Sequence, residues 1–256
     1  MYRKNFIKQK LEAGKKVIGT WCVIPSPVVT DIICSAGLDF IIIDAEHGPI
    51  GFETAQEMVI ACESRQVSPL MRVGSIDEAD ILKALDIGVH GIQIPNVNSV
   101  ADVEQIIQFS KYPPIGNRGF SPFTRVGDYS MSNSKTLTAK ANENVLVGIN
   151  IEGEDAINNI DQILKIDALD LVFVGLFDLS KALGIPGQVD DKRVLDYLKS
   201  LTKKIIGAGK YPGTIATSVE KMDYFLSMDI RFILYLVDCE ILNSSYKNVI
   251  DAFRKF

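Results

Sequence analysis

The chain has 256 residues but only two histidines, His47 and His90, so it has few groups for proton transfer near neutral pH. Its four cysteines, Cys22, Cys34, Cys62 and Cys239, stand far apart with no paired spacing. That excludes a zinc ribbon or a disulfide framework and fits free thiols in a reducing cytoplasm. No apolar run reaches the length of a membrane span, and no basic start leads into an apolar stretch with a small-residue cleavage site. No membrane partner and no signal peptide are therefore expected. The net charge of −5 is the wrong sign for a surface that grips phosphates, so no nucleic-acid partner is expected. A G-x-G-x-x-G fingerprint is absent, which weakens the case for an open dinucleotide-binding sheet.

What is present is rhythm. Short apolar runs at 17–22, 40–44, 70–73, 91–95, 145–152, 171–175, 213–216 and 232–237 are rich in β-branched and large apolar residues. Amphipathic helical patterns fall between them, at 52–65, 76–85, 100–109, 194–208 and 239–256 among others, with Ser75, Ser99 and Ser218 as cap-like openings. Strands buried on both faces and alternating with helices make a parallel sheet, and eight such units make a closed (β/α)8 TIM barrel. An open doubly wound sheet is the runner-up. The expectation is one α/β domain over 1–256. Residues 111–144, with several Pro, Gly and Arg and a polar tail, read as a long irregular loop on the bottom face, either a subunit contact or an arm to a neighbouring site.

Barrel enzymes place their chemistry at the C-terminal ends of strands. Here those ends carry Asp44-Ala45-Glu46-His47, Arg72, Asn150-Ile151-Glu152, Gly175-Leu176-Phe177-Asp178 and Asp238. Glu152 and Asp178 close consecutive strands, roughly 4.8 Å apart, where two carboxylates repel unless a cation sits between them. Mg2+ or Mn2+ suits that donor set. Separate pairing with arginines, or Asp178 capping the next helix, is the alternative. Asn150 precedes Glu152 by two and so points to the same face, beneath it, bonded either within the core or to a ligand. Arg72 projects inward and needs an anion, from Asp44, from Glu46 or from a bound carboxylate. His47 sits in an acidic turn with Asp44 as the group to orient it, which makes it a candidate base. His90 falls at the barrel bottom and has no assigned role. None of the eight runs contains a lysine, so carbonyl activation through a Schiff base is not available and a metal would serve as Lewis acid.

In combination, Asp44-Ala45-Glu46-His47-Gly48, Arg72, Pro114-Ile115-Gly116-Asn117-Arg118-Gly119, Glu152 and Gly175-Leu176-Phe177-Asp178-Leu179-Ser180 resemble the HpcH/HpaI class II aldolases. That family includes 4-hydroxy-2-oxoheptanedioate and 2-keto-3-deoxyaldarate aldolases. The resemblance runs from about residue 14 to 242 and implies a barrel of the phosphoenolpyruvate/pyruvate type. It implies that Glu152 and Asp178 hold a divalent metal, Mg2+, Mn2+ or Co2+, which chelates the carboxylate and keto oxygens of pyruvate. It further implies that Arg72 steadies the keto or enolate oxygen, that amides around Gly175 and Leu176 hold the carboxylate, and that His47 is the base, directly or through water, oriented by Asp86. Family members are commonly hexamers whose last helix swaps between barrels, which suits 239–256. Three positions depart from the family pattern: Asn150 replaces a glutamine, Leu176 a proline and Leu236 a glycine. All three are expected to surround the bound oxo acid, Leu236 by narrowing the mouth.

The leading functional expectation is a metal-dependent lyase that cleaves a 4-hydroxy-2-oxo acid to pyruvate and an aldehyde through an enolate. The alternative is a citrate-synthase-like Claisen condensation of oxaloacetate with an acyl thioester, as in siderophore assembly. A non-catalytic barrel that only binds a metal–oxo acid complex is a third reading, disfavoured because binding alone needs no base.

Overall fold

The computed structural model describes residues 4–256, and residues 1–3 of the expected domain lie outside the described residues. The order is α1 (Phe6–Glu12), β1 (Val17–Cys22), α2 (Pro27–Ser35), β2 (Phe40–Asp44), α3 (Phe52–Ser64), β3 (Ser68–Arg72), α4 (Glu78–Asp86), β4 (Gly91–Ile94), α5 (Val100–Ser110), α6 (Ser134–Asn144), β5 (Leu146–Ile151), α7 (Glu154–Ile163), β6 (Leu171–Val174), α8 (Leu176–Ala182), α9 (Lys192–Gly207), β7 (Tyr211–Ala216), α10 (Val219–Ser227), β8 (Phe232–Val237) and α11 (Asp238–Phe253). The eight strands pair in sequence order, all parallel, and β8 closes on β1. This is the (β/α)8 barrel, not the open sheet. No helix among the described residues is long and apolar enough to cross a membrane.

Each strand alternates between two cores. Trp21, Phe40, Ile42, Leu70, Leu146, Leu171, Phe173 and Phe232 fill the lumen, while Ile41, Ile43, Met71, Ile92, Val147 and Val172 pack outward under the helices. Phe40 and Phe232 stack at 4.2 Å across the lumen. Gly19 makes room for that layer, because a Cβ there would meet the Phe40 ring at 2.5 Å. The short α1, which the sequence pattern did not reveal, plugs the bottom with Ile7 and Leu11. Asn5, its cap, also ties the helix to the carbonyls of His90 and Asn144. His90 is at this end as expected, between Ser68 and Glu63.

Three local expectations need correction. Asp77, not Ser75, caps α4 by accepting from the Asp80 N–H, whereas Ser99 and Ser218 do cap α5 and α10. Residues 111–144 are not irregular throughout: they hold two 3-10 turns, Arg125–Gly127 and Met131–Asn133, and then α6. That helix buries only Leu137 and Ala141, one turn apart, too narrow a stripe to stand out in a polar sequence. The third correction is at β8. Leu236 has φ +53°, and the β1–β8 register slips between Gly19 and Trp21, so that Val237 pairs with Trp21. The bulge breaks the inward–outward alternation and turns Val237, not Leu236, toward the lumen.

Candidate active site

The top of the barrel holds a pocket of about 300 Å3. Asp44, His47, Arg72, Asn150, Glu152, Gly175, Leu176 and Asp178 all line it, and Trp21, Phe173 and Val237 supply apolar wall. Eight of the ten site residues expected from sequence thus converge. The other two, Asp86 and Leu236, do not.

Asp44 ends β2 beside Arg72 at the end of β3. Arg72 Nε and Nη2 donate to the two Asp44 oxygens at 2.9 and 2.6 Å. Its Nη1 lies 3.0 Å from Glu46 Oε2, and its plane covers the Trp21 ring at 4.0 Å. Two of the three anions weighed for Arg72, Asp44 and Glu46, are therefore engaged. The bidentate pair and the ring fix the guanidinium in one orientation, which a lysine could not reproduce. Asp44 also accepts from the backbone N–H groups of Glu46 and His47, so it shapes the turn that carries the histidine. It does not contact the imidazole, which corrects the expected role of ring orienter. The His47 ring projects outward, with 70% of the side chain exposed and Nε2 3.8 Å from Glu46 Oε2. Burial pushes the Glu46 carboxyl above its ordinary range, and the charges of Glu152 and Asp44 add to this against the opposing pull of Arg72 and His47.

Asp86 is elsewhere within this chain. It ends α4, which runs from the top of the barrel back to the bottom, and there it accepts from Arg118 Nη2 at 2.6 Å. Burial raises its carboxyl, opposed by Arg118, and Arg118 in turn lies over Tyr112. The opposite ends of one barrel cannot share a hydrogen bond, so no Asp86–His47 pair forms inside one chain.

Glu152 follows β5, and its carboxylate is held at both oxygens: Oε1 accepts from Asn150 Nδ2 at 2.7 Å and Oε2 from the Asn96 backbone N–H at 3.1 Å. Asn96 takes φ +55°, a left-handed conformation that asparagine tolerates, to aim that N–H. Asp178 lies in the first turn of α8, not at its cap; Gly175 is the cap residue, with no side-chain cap bond. A Cβ on Gly175 would sit 3.2 Å from Asp178 Oδ2 and 4.0 Å from Glu152 Cγ. The missing methyl thus opens a space that both carboxylates border. Neither carboxylate has an arginine or lysine partner among the described ion pairs. No group of three or more His, Cys, Asp or Glu side chains able to hold a metal forms among the described residues. A two-carboxylate site leaves most of a coordination shell to water and substrate, which suits Mg2+ or Mn2+.

Two contributors escaped the sequence reading, Asn96 and Gln93. Gln93 is a polar side chain in an otherwise apolar strand, fully buried and hydrogen-bonded to Asn150. Its signal was that single polar position at an inward-facing place on β4.

The model of the HpcH/HpaI aldolase/citrate lyase family matches residues 18–238. A 5-keto-4-deoxy-D-glucarate aldolase of Shigella boydii serotype 18 is 28% identical, with 98% of this chain and 97% of that protein covered. Among solved structures, the HpcH/HpaI aldolase from Desulfitobacterium hafniense DCB-2 is 29% identical at a TM-score of 0.93, over 98% of this chain and 97% of that one. The citrate synthase SbnG is 27% identical at a TM-score of 0.89, with 98% of each chain covered. With a barrel of the same topology and a carboxylate-lined mouth, the chain belongs to the HpcH/HpaI aldolase/citrate lyase family and is an enzyme of its class II aldolase type, a carbon–carbon lyase.

Proposed function

We propose that the protein cleaves a 4-hydroxy-2-oxo acid to pyruvate and an aldehyde in the pocket above β5 and β6. The observation that carries this reading is the convergence of the Glu152–Asp178 pair, the anchored Arg72 and the exposed His47 on one small cavity. Glu152 and Asp178 would hold Mg2+ or Mn2+, which when bound supplies positive charge to the 2-oxo acid head group. The rest falls to the chain's own side chains. Gly175 and Leu176, at the start of α8 where no side chain caps the helix, line the pocket, and their backbone N–H groups would take the substrate carboxylate. Arg72, with two of its five N–H donors fixed on Asp44, keeps others for the 2-oxo oxygen. His47, directly or through water, takes the proton of the 4-hydroxyl. The C3–C4 bond then breaks, its electron pair moves into the C2–C3 bond, and negative charge collects on the 2-oxo oxygen beside Arg72. Protonation at C3 completes pyruvate, and the former C4 leaves as the aldehyde carbon.

A second reading, condensation of oxaloacetate with an acyl thioester, is favoured by one observation, the similarity to a citrate synthase over 98% of the chain. It has less support than cleavage.

The working unit we propose is a homo-oligomer. The helix α11 buries only Asp238; Ile241, Leu242, Tyr246, Val249, Ile250 and Phe253 are exposed. Beside it an apolar groove of about 440 Å3 lies open along α2, with Val29, Ile32, Ile33 and Leu38 in its wall. An apolar helix face and an apolar groove on one chain fit an exchange of α11 between barrels, in a hexamer. All four cysteines are free thiols, which supports a reducing compartment such as the cytoplasm.

The test is exchange of solvent deuterium into the methyl group of pyruvate, with Mn2+ present, alongside pyruvate release from 4-hydroxy-2-oxo acids. Exchange and release are expected, both lost on chelation. Removing either Glu152 or Asp178 should cost about as much as removing both, since the pair acts as one site. Full turnover in chelator-stripped protein sinks the metal site. Thioester-dependent consumption of oxaloacetate with no pyruvate release would promote the synthase.

A further inference from the structure

The lumen side of β4 carries one polar side chain, Gln93, level with Arg72 on β3 and with Gly148 on β5. Gln93 Nε2 donates to Asn150 Oδ1, and Asn150 Nδ2 donates to Glu152 Oε1. The chemistry of the last acceptor dictates the polarity of this chain. An ionised carboxylate has no proton to give, so Asn150 must turn its NH2 toward Glu152. The Asn150 carbonyl then faces the other way, into a buried space, and there it needs a donor. Gln93 supplies that donor. Its own carbonyl oxygen, Oε1, is buried with no hydrogen-bond partner among the described residues. A buried acceptor without a partner is costly, and an apolar side chain at position 93 would avoid the cost. The glutamine therefore gains nothing for its own stability that leucine would not give. What it does supply is a second anchor for Asn150. Without it the buried Asn150 carbonyl has lost its donor, and the amide that holds Glu152 Oε1 is fixed from one side only, free to shift toward another donor.

We infer that Gln93 is a positioning residue: through Asn150 it fixes the presentation of the Glu152 carboxylate to the divalent cation. This rests on the proposal that Glu152 and Asp178 hold that cation. Groups that orient a metal ligand typically change metal affinity by about 10- to 100-fold when removed.

The experiment is Mn2+ binding, read by the electron paramagnetic resonance signal of free Mn2+ and by the Mn2+-dependent rise in Tm. The proteins are wild type, Gln93→Leu, Asn150→Ala and the double variant. Gln93→Leu is expected to weaken Mn2+ binding by about 10-fold or more, while the same change in the Asn150→Ala background should shift it by less than about twofold. Gln93→Met, which keeps the length and removes the donor, gives the same comparison should the leucine variant fold poorly. Wild-type Mn2+ affinity in a folded Gln93 variant overturns the inference. So does an equal loss with and without Asn150, because Gln93 would then act by another route. Glu152→Gln separates the two levels of the argument. If it binds Mn2+ as wild type does, the metal site itself is wrong and the inference falls with it. If it loses Mn2+ while the Gln93 variants do not, only the positioning role fails.

Discussion

At the residue scale the site separates side chains that are anchored from those that are free. Arg72, Asn150 and Glu152 are each fixed by at least two partners, whereas the His47 side chain is 70% exposed, with Glu46 as its one ion-pair partner among the described residues. Truncating His47 therefore opens no cavity. We expect His47→Ala to lower turnover by a factor of about 10² to 10⁴ while Tm and Mn2+ affinity stay at wild-type values. Turnover within a few-fold of wild type would reduce His47 to a turn residue. A different residue sets a pH dependence of stability. Lys111 is buried at the bottom of the barrel, where its Nζ donates to the carbonyls of Asn142 and Val145 at 2.8 Å each, and burial lowers its pKa to about 8. Between that value and the ordinary one the unfolded chain holds more protons, so stability rises with pH across the window from about 8 to 10.5. The contribution is complete above the unfolded value and is lost as pH falls through the folded one. It amounts to something on the order of 3 kcal/mol. Urea unfolding between pH 7.5 and 11 should show this rise in wild type, and the difference curve against Lys111→Met should isolate it. A flat difference curve would mean that the lysine is not desolvated.

At the element scale the informative place is the end of β8. Alternation along an apolar strand assigns Leu236 to the lumen, yet its left-handed backbone lets Val237 take that place. Side chains with a Cβ pay roughly 1–2 kcal/mol for that conformation, and glycine does not. In an ordinary strand alanine is more stable than glycine by about 0.5–1 kcal/mol. Here the order should reverse, with Leu236→Gly more stable than Leu236→Ala by about 1 kcal/mol in urea unfolding. An alanine variant as stable as the glycine one would show that the strand end relaxes to an extended form. The left-handed backbone suits the glycine that the resemblance puts at this position, and nothing in the structure explains why this chain carries leucine there.

For the whole molecule, the unburied α11 is the element a single barrel leaves unexplained. Its Phe253 is 71% exposed, and six further large apolar side chains from Ile241 to Phe256 are also exposed. Replacing Tyr246 and Phe253 together by aspartate puts two charges on the face proposed to enter a neighbouring barrel. Light scattering coupled to size exclusion should then report a smaller species than wild type, with the circular dichroism of the barrel retained. An unchanged mass would place the subunit contact elsewhere, with the 111–144 segment the next candidate. It exposes Phe120, Phe123, Tyr129 and Met131, and Phe120 packs on the Tyr112 ring that Arg118 of the Asp86–Arg118 pair covers.

The sequence by itself pointed to the barrel, since eight apolar runs separated by amphipathic helices favour a closed parallel sheet over an open one; the pairing of β8 with β1 closed it. It determined the strand-end residues too, because polar side chains at the mouth stand out against apolar strands. Glu152, Asp178, Arg72 and Asn150 were legible for that reason, and period-2 counting placed Asn150 beneath Glu152. Tertiary structure decided what local spacing cannot carry. Gln93 reaches Asn150 across 57 positions of chain, a contact that exists only because β4 and β5 are neighbours in the sheet. Asp86 looked close to the site by resemblance, but α4 carries it to the far end of the barrel. Leu236 obeyed the strand pattern until closure of β8 on β1 forced a bulge that no alternation encodes. Periodicity fixes which face of an element is apolar. Which side chains meet across the barrel, and with which polarity, depends on register and closure, which arise only when the strands come together.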